Sequence, residues 1–77
     1  MPEPPDIKRS VRIAGHRTSI ALEAEFWEAL KNIAREDGVS LNALIARIDA
    51  ARLPETHNLS RAIRLYVLAY YKARSRT

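Results

Sequence analysis

The stretch that decides the fold is residues 15–45, which read GHRTSIALEAEFWEALKNIAREDGVSLNALI. Its first part alternates with the period of two that is typical of a β-strand, with Arg17, Ser19 and Ala21 on one face and Thr18, Ile20 and Leu22 on the other. From Ala24 the apolar residues recur at helical spacing, and a second helical pattern follows Gly38. The stretch therefore predicts one strand followed by two helices.

Helix boundaries follow from the residues at their ends. The first helix runs from Ala24 to about Asp37 and stops at Gly38, and its apolar stripe is Phe26, Ala29, Leu30, Ile33 and Ala34, with Trp27 at the edge. Ser40 is placed to cap the second helix, and Pro54 ends it. Asn58 is placed to cap a third helix, whose stripe is Leu59, Ala62, Ile63, Tyr66, Val67 and Tyr70.

The residues before the strand leave two interpretations open. Val11 and Ile13 also alternate with polar neighbours, and Ala14-Gly15 shifts the phase by one. The segment is therefore either one strand entered through a kink or a short hairpin that turns at Gly15. We favour the single strand, from Arg17 to Leu22. Residues 1–7, which open with the proline-rich MPEPPD, are expected to form a disordered tail, and residues 8–74 the domain.

A single strand cannot stand alone in water. Its edges expose unpaired N–H and C=O groups, and a chain of 77 residues builds only a small core. The simplest partner is the same strand of a second copy of the chain, related by a twofold axis. The expected fold is thus mainly α with one β-strand, a homodimer with an intermolecular two-stranded antiparallel ribbon and a third, C-terminal helix.

Charge is segregated along the chain, whose net charge is +4. Residues 8–22 carry four cations and no acid, residues 23–37 carry five acids against two cations, and the residues from 59 onward are again basic without an acid. Two basic ends that flank an acidic middle indicate an acidic partner.

Several function classes are excluded or disfavoured by composition. The absence of cysteine removes disulfides and thiolate metal sites, and His16 and His57 have no clustered carboxylates at ligand spacing, so we expect neither a metal nor a cofactor. No apolar run approaches the ~20 residues of a membrane span, and no signal peptide is evident, which makes a cytoplasmic location the default expectation. With two glycines there is no phosphate-binding glycine loop, and no nucleophile has a base at recognisable spacing, so the chain is not expected to be an enzyme.

The order strand, helix, glycine turn, helix resembles the ribbon-helix-helix family of bacterial DNA-binding proteins. The GHRTS strand and the LEAEFW helix start resemble one branch of small members, and the similarity covers about residues 8–71. The resemblance implies an intertwined dimer whose ribbon enters the major groove of DNA while the start of the second helix anchors phosphates. The third helix departs from the family's usual unit, and its NLSRAIR start also resembles a family second helix, which leaves the phosphate-anchoring helix open. Ala21 stands where the family commonly has a long polar residue.

The candidate site residues follow from the outward face of the strand and from the basic residues and helix start near it. Arg17 and Ser19 are expected to contact bases, because an arginine can bond guanine bidentately and a serine can serve any base edge. The expected DNA backbone contacts are Lys8, Arg9, Arg12 and His16 around the ribbon, and Ser40 and Asn42 at a helix start. The alternative is that these polar side chains are merely solvated, and that Ser40 is only a cap.

Two further groups have competing interpretations. Phe26, Trp27, Tyr66 and Tyr70 could stack on single-stranded nucleic acid, but their helical spacing favours a core role. Arg61, Arg64 and Lys72 form a stripe that is either a solvated face or a second DNA contact. The expected function is a sequence-specific transcriptional regulator that binds double-stranded DNA. The alternative is an antitoxin or an interaction adaptor on the same fold.

Overall fold

The computed structural model describes residues 6–51 and 58–75, which form two strands and three helices. The elements are β1 (Ile7–Ile13), β2 (His16–Leu22), α1 (Ala24–Asp37), α2 (Leu41–Ala51) and α3 (Leu59–Ser75). α3 packs against α1, α2 and β2, and α2 also packs against β1. Ile7 lies in β1, within the segment expected to be a tail, and the predicted helix end at Pro54 falls outside the described residues.

β1 and β2 form an antiparallel hairpin in which Ile13 pairs with His16 and Ile7 with Leu22. The preference for a single strand was therefore wrong, and the hairpin alternative is the correct one. Ala14 and Gly15 form the two-residue turn with positive φ angles of 51° and 81°. A two-residue turn with two positive φ angles has a backbone twist that matches the twist of the flanking strands. At Ala14 this conformation is strained because the residue carries a Cβ.

The helix ends use the predicted caps. Gly38 adopts a left-handed conformation with φ of 70°, and the Val39 N–H donates to the Ala34 carbonyl at 3.0 Å, which ends α1. The Ser40 hydroxyl accepts from the Ala43 N–H at 3.0 Å and caps α2. The Asn58 side chain accepts from the Arg61 N–H at 3.3 Å and caps α3. All three caps confirm the sequence prediction.

The core lies between the inner face of the hairpin and the three helices. Its buried residues are Val11, Ile13, Ile20, Leu22, Trp27, Leu30, Ile33, Ala34, Leu44, Ile45, Ile48, Ile63 and Val67. Trp27, expected at the edge of the α1 stripe, is instead only 1% exposed. It is covered by β1, and its indole N–H donates to the Ile7 carbonyl at 2.8 Å. The periodicity of α1 predicted the wrong burial for Trp27 because it carries no information about β1, the strand that covers this side chain.

Polar contacts along its length tie α3 to the rest of the chain. Near its start Arg64 Nε lies 3.0 Å from Glu23 Oε1. A hydrogen bond from the Glu23 backbone N–H and, after it, the bond from Arg64 lower the pKa of the Glu23 carboxyl. Near its end the Tyr70 hydroxyl donates to Glu36 at 2.6 Å, which raises the Tyr70 pKa, and Arg74 donates to both groups. α3 is therefore an integral part of the domain rather than a loose extension.

One chain closes this core by itself. Ile20, Leu22, Leu30 and Leu44 are each at most 1% exposed, and among the described residues no buried side-chain N or O atom lacks a hydrogen-bond partner. Since β2 already has a partner strand in its own chain, it does not require a second copy to pair its backbone groups. A second copy would have to pair along the remaining free edge of the sheet.

Candidate nucleic-acid interface

The hairpin turns one face away from the core, and that face is polar and basic. Residues directly opposite in an antiparallel pair share a face. The outward face consists of Lys8, Ser10 and Arg12 from β1 and of Ala21, Ser19 and Arg17 from β2, in that pairing order. All of them are exposed except Ala21, which is half-buried. We call these six residues the hairpin face. It places the predicted base contacts Arg17 and Ser19 side by side with the predicted phosphate contacts Lys8 and Arg12.

The electrostatics of the hairpin face favour an anionic ligand. Arg12 and Arg17 are directly opposite each other, and like charges in that position destabilise a strand pair. Neither arginine makes an ion pair with any residue in the part of the chain that the structure describes. A phosphate or the acceptor edge of a guanine between or beside them would relieve this repulsion.

Two of the predicted backbone contacts lie elsewhere. Arg9 pairs with Ile20, on the opposite face of the hairpin, and its guanidinium carbon lies 5.4 Å from the centre of the Trp27 ring. His16 pairs with Ile13 on that same opposite face and lines an open cleft of about 570 Å³ together with Asp49 and Asn58. Their phosphate contacts stay predictions. Both residues lie on the other face of the strand pair, although Ser19 of the hairpin face also lines the cleft beside His16.

The start of α2 has the features of an anion-binding helix end. Ser40 and Asn42 are exposed, and the first turn of α2 contains no acidic residue. The Ser40 hydroxyl accepts the capping bond, so the donors left for a phosphate are its own O–H and the backbone N–H groups of the first turn. The start of α3 instead binds to the sheet, because the Ser60 hydroxyl donates to the Ala21 carbonyl of β2 at 3.1 Å.

The aromatic and C-terminal basic residues also have defined places. Trp27 is buried, and Phe26, Tyr66 and Tyr70 pack against the core, which supports the core interpretation over a stacking platform. Arg61, Arg64 and Lys72 do not form one solvated stripe, because Arg64 turns to Glu23. Sequence reasoning missed Ser10, which lies directly opposite Ser19. The signal that could have found it is the alternation of Ser10 with Val11, which in the hairpin alternative places Ser10 on a strand paired with β2.

A family model described as a ribbon-helix-helix domain matches residues 6–71, which is most of the chain. The chain belongs to the ribbon-helix-helix family. This match confirms the resemblance seen in the sequence. Domains of this family are generally DNA-binding regulators rather than enzymes. No curated protein and no solved structure gave a significant match.

Within the described residues of this ribbon-helix-helix domain, no helix is long and apolar enough to cross a membrane. The same residues contain no group of three or more His, Asp or Glu side chains that could hold a metal ion. The hairpin face is the candidate site of the domain, because it joins a pair of arginines without an ion-pair partner among the described residues to two hydroxyl side chains.

Proposed function

We propose that this protein is a homodimeric, cytoplasmic transcriptional regulator that binds double-stranded DNA sequence-specifically through the hairpin face. The observation that carries the proposal is the pair of exposed arginines, Arg12 and Arg17, directly opposite each other in a ribbon-helix-helix domain without an acidic partner among the described residues. A β-ribbon fits the major groove, where every base pair presents its own pattern of donors and acceptors.

Base reading is assigned to Arg17 and Ser19. Both project from the strand that is fastened to α3 through Ala21 and Ser60, so their positions are held by the core rather than by a flexible loop. The arginine can donate two hydrogen bonds to the O6 and N7 atoms of a guanine, and the shorter serine can contact a neighbouring base edge.

The dimer is proposed to form along the free edge of β2. In a hairpin closed by a two-residue turn, the backbone groups of alternate residues point to the partner strand, and the others point away. On β2 the residues pointing away are Arg17, Ser19 and Ala21, which agrees with the bond from Ser60 to the Ala21 carbonyl. The free part of the edge, around Arg17 and Ser19, could pair with the same segment of a second copy and give a four-stranded sheet in the order β1-β2-β2′-β1′.

Phosphate contacts are assigned to Lys8 and Arg12 on β1 and to the start of α2 at Ser40 and Asn42. In the four-stranded arrangement the two β1 strands would lie about 14 Å apart, from three strand spacings of ~4.8 Å. This separation exceeds the ~12 Å width of the major groove, so β1 would meet the groove walls, where the phosphates are. Two clusters of basic residues would then clamp the backbone on both sides of the bases that β2 reads.

A substitution that removes one backbone donor tests the dimer edge. Ser19→Pro should convert the dimer to a monomer, because the lost N–H points to the free edge of β2 and not to β1. Light scattering at micromolar concentration measures this change. Ser10→Pro is the matched control: Ser10 lies directly opposite Ser19, its N–H points to the far edge of β1, and the variant should stay dimeric. A wild-type chain that is monomeric, or equal behaviour of the two variants, would contradict pairing through β2.

Salt dependence tests DNA binding itself. A high-affinity site is first selected from a random duplex pool by gel shift, and the binding constant is then measured against salt. The affinity should fall steeply, with a log-log slope of about 0.9 for each phosphate neutralised. Lys8→Ala combined with Arg12→Ala should reduce the slope by about four per dimer, whereas Arg35→Ala, an exposed residue at the end of α1, should leave it unchanged. A flat salt response would contradict the proposal and favour a protein-interaction role.

A further inference from the structure

α3 carries an exposed apolar stripe that neither the core nor the hairpin face uses. Leu65 and Leu68 are 47% and 55% exposed, and Tyr71 beside them is 40% exposed. The spacing Arg61, Leu65, Leu68, Lys72 follows the steps of four, three and four that align side chains along one side of a helix. The stripe is about 17 Å long, from a rise of ~1.5 Å per residue, and has a cation at each end.

A groove runs beside this stripe, along the seam between α2 and α3. It has a volume of about 340 Å³, is open to solvent, and is lined by Arg47, Ile48, Ala51, Ala62, Leu65 and Tyr66. The small side chains of Ala51 and Ala62 leave room there for a side chain of a facing helix. We call the stripe and this groove together the α3 surface. Leu65 belongs to both parts and joins them.

The charges around the α3 surface are not balanced within the chain. In the described part of α3 there are four cations and no acid, and two of the cations, Arg64 and Arg74, pair with Glu23 and Glu36. The other two, Arg61 and Lys72, make no ion pair with the described residues, and they are the ones that end the stripe. The protein thus neutralises the cations that face its own helices and leaves those that flank the exposed leucines.

We propose that the α3 surface binds an amphipathic, acidic helix of another protein, with apolar side chains on Leu65 and Leu68 and carboxylates near Arg61 and Lys72. This is the helix-in-groove mode, in which an apolar stripe gives affinity and flanking charges give specificity. The α3 surface shares no residue with the hairpin face, so the proposal is independent of DNA binding.

The charges and the shape of the α3 surface disfavour a second copy, DNA and a lipid surface as its occupant. A second copy that packed α3 against α3′ would bring Arg61 next to Lys72′ in an antiparallel arrangement, or next to Arg61′ in a parallel one, and both are repulsive. DNA phosphates would gain from the cations but would leave Leu65 and Leu68 exposed. A lipid surface would accept the leucines but has no protruding side chain to fill the groove between α2 and α3.

Two synthetic helical peptides of 18 residues test the proposal, with roughly five turns each. Both have leucines on one face at spacings of three and four, and one has glutamates on its flanks where the other has lysines. Fluorescence anisotropy with the full chain should show that the glutamate peptide binds about tenfold tighter or more than the lysine peptide. Combining Arg61→Glu with Lys72→Glu should reverse this preference, a result that simple stickiness of exposed leucines cannot produce.

Apolar variants complete the experiment. Leu65→Gln combined with Leu68→Gln should weaken the glutamate peptide about tenfold or more, while circular dichroism and binding of the selected DNA site stay unchanged. Ile7→Gln, which alters another exposed apolar residue outside the α3 surface, should bind the peptide like the wild type. Equal binding of the two peptides would overturn the proposal. So would binding of anionic vesicles in place of the peptide, or self-association that the leucine substitutions remove.

Discussion

Ile20→Asp should leave the chain unfolded at neutral pH. Ile20 is 1% exposed and lies on the inner face of β2, packed among the core residues. A carboxylate there would lose its hydration in an apolar environment, and an uncompensated buried charge costs about 3 to 5 kcal/mol on top of the lost apolar contacts. A small domain of this kind has a total stability of roughly 5 kcal/mol or little more. The loss is thus comparable with the whole free energy of unfolding.

Far-ultraviolet circular dichroism and urea titration measure this result, and Ser19→Asp is its control. Ser19 is the neighbouring residue on the same strand, but it points outward and is exposed, so its carboxylate stays hydrated and the chain should fold. Arg9 lies across the strand from Ile20 but rests over Trp27, and drawing it inward would bury a second charge. A folded Ile20→Asp together with an unfolded Ser19→Asp would mean that β2 is displaced by one residue.

The parts of the fold that were predicted correctly are those whose physical cause is local. Gly38 stops α1 because its left-handed conformation suits glycine, and Ser40 and Asn58 cap helices within three residues of themselves. Such signals need no knowledge of the rest of the chain. The outward placement of Arg17 and Ser19 followed in the same way, from the alternation along one strand.

The errors concern pairings between distant segments. The hairpin was considered but not preferred, and its turn has Ala14 at a position of positive φ where asparagine or glycine is the typical residue. Once β1 is folded back, it covers Trp27, carries Arg9 to the inner side and sets Ser10 beside Ser19. The three corrections therefore share one cause, the pairing of β1 with β2.

The α3 cations illustrate the same limit for the surface. In the sequence Arg61, Arg64 and Lys72 look equivalent, because all three lie on a basic helix with no acid. The structure separates them, since Arg64 reaches Glu23, a residue 41 positions earlier in the chain. Periodicity along one helix does not show which cation pairs with an acid from another element. The pairing of Arg64 leaves Arg61 and Lys72 as the cations that flank the exposed leucines of the α3 surface.

Arg17→Ala should leave the protein folded and dimeric but strongly reduce binding to the selected DNA site. The side chain is exposed and lies directly opposite Arg12, so its removal should relieve repulsion in the hairpin and cost little packing. A bidentate contact to guanine contributes about 1 to 3 kcal/mol of discrimination. With two half-sites per dimer the loss is about 2 to 6 kcal/mol, which is roughly 30-fold to 25,000-fold in affinity.

The diagnostic feature is the pattern of the loss across DNA sequences. Arg17→Ala should relax the preference at one base pair of each half-site, because the arginine reads a base. Arg12→Ala should weaken all sequences about equally, because a phosphate contact carries no sequence information. Repeating the selection with each variant separates the two effects. If Arg12→Ala altered the selected sequence and Arg17→Ala did not, β1 rather than β2 would be the reading strand, and the order of strands proposed for the dimer would have to be reversed.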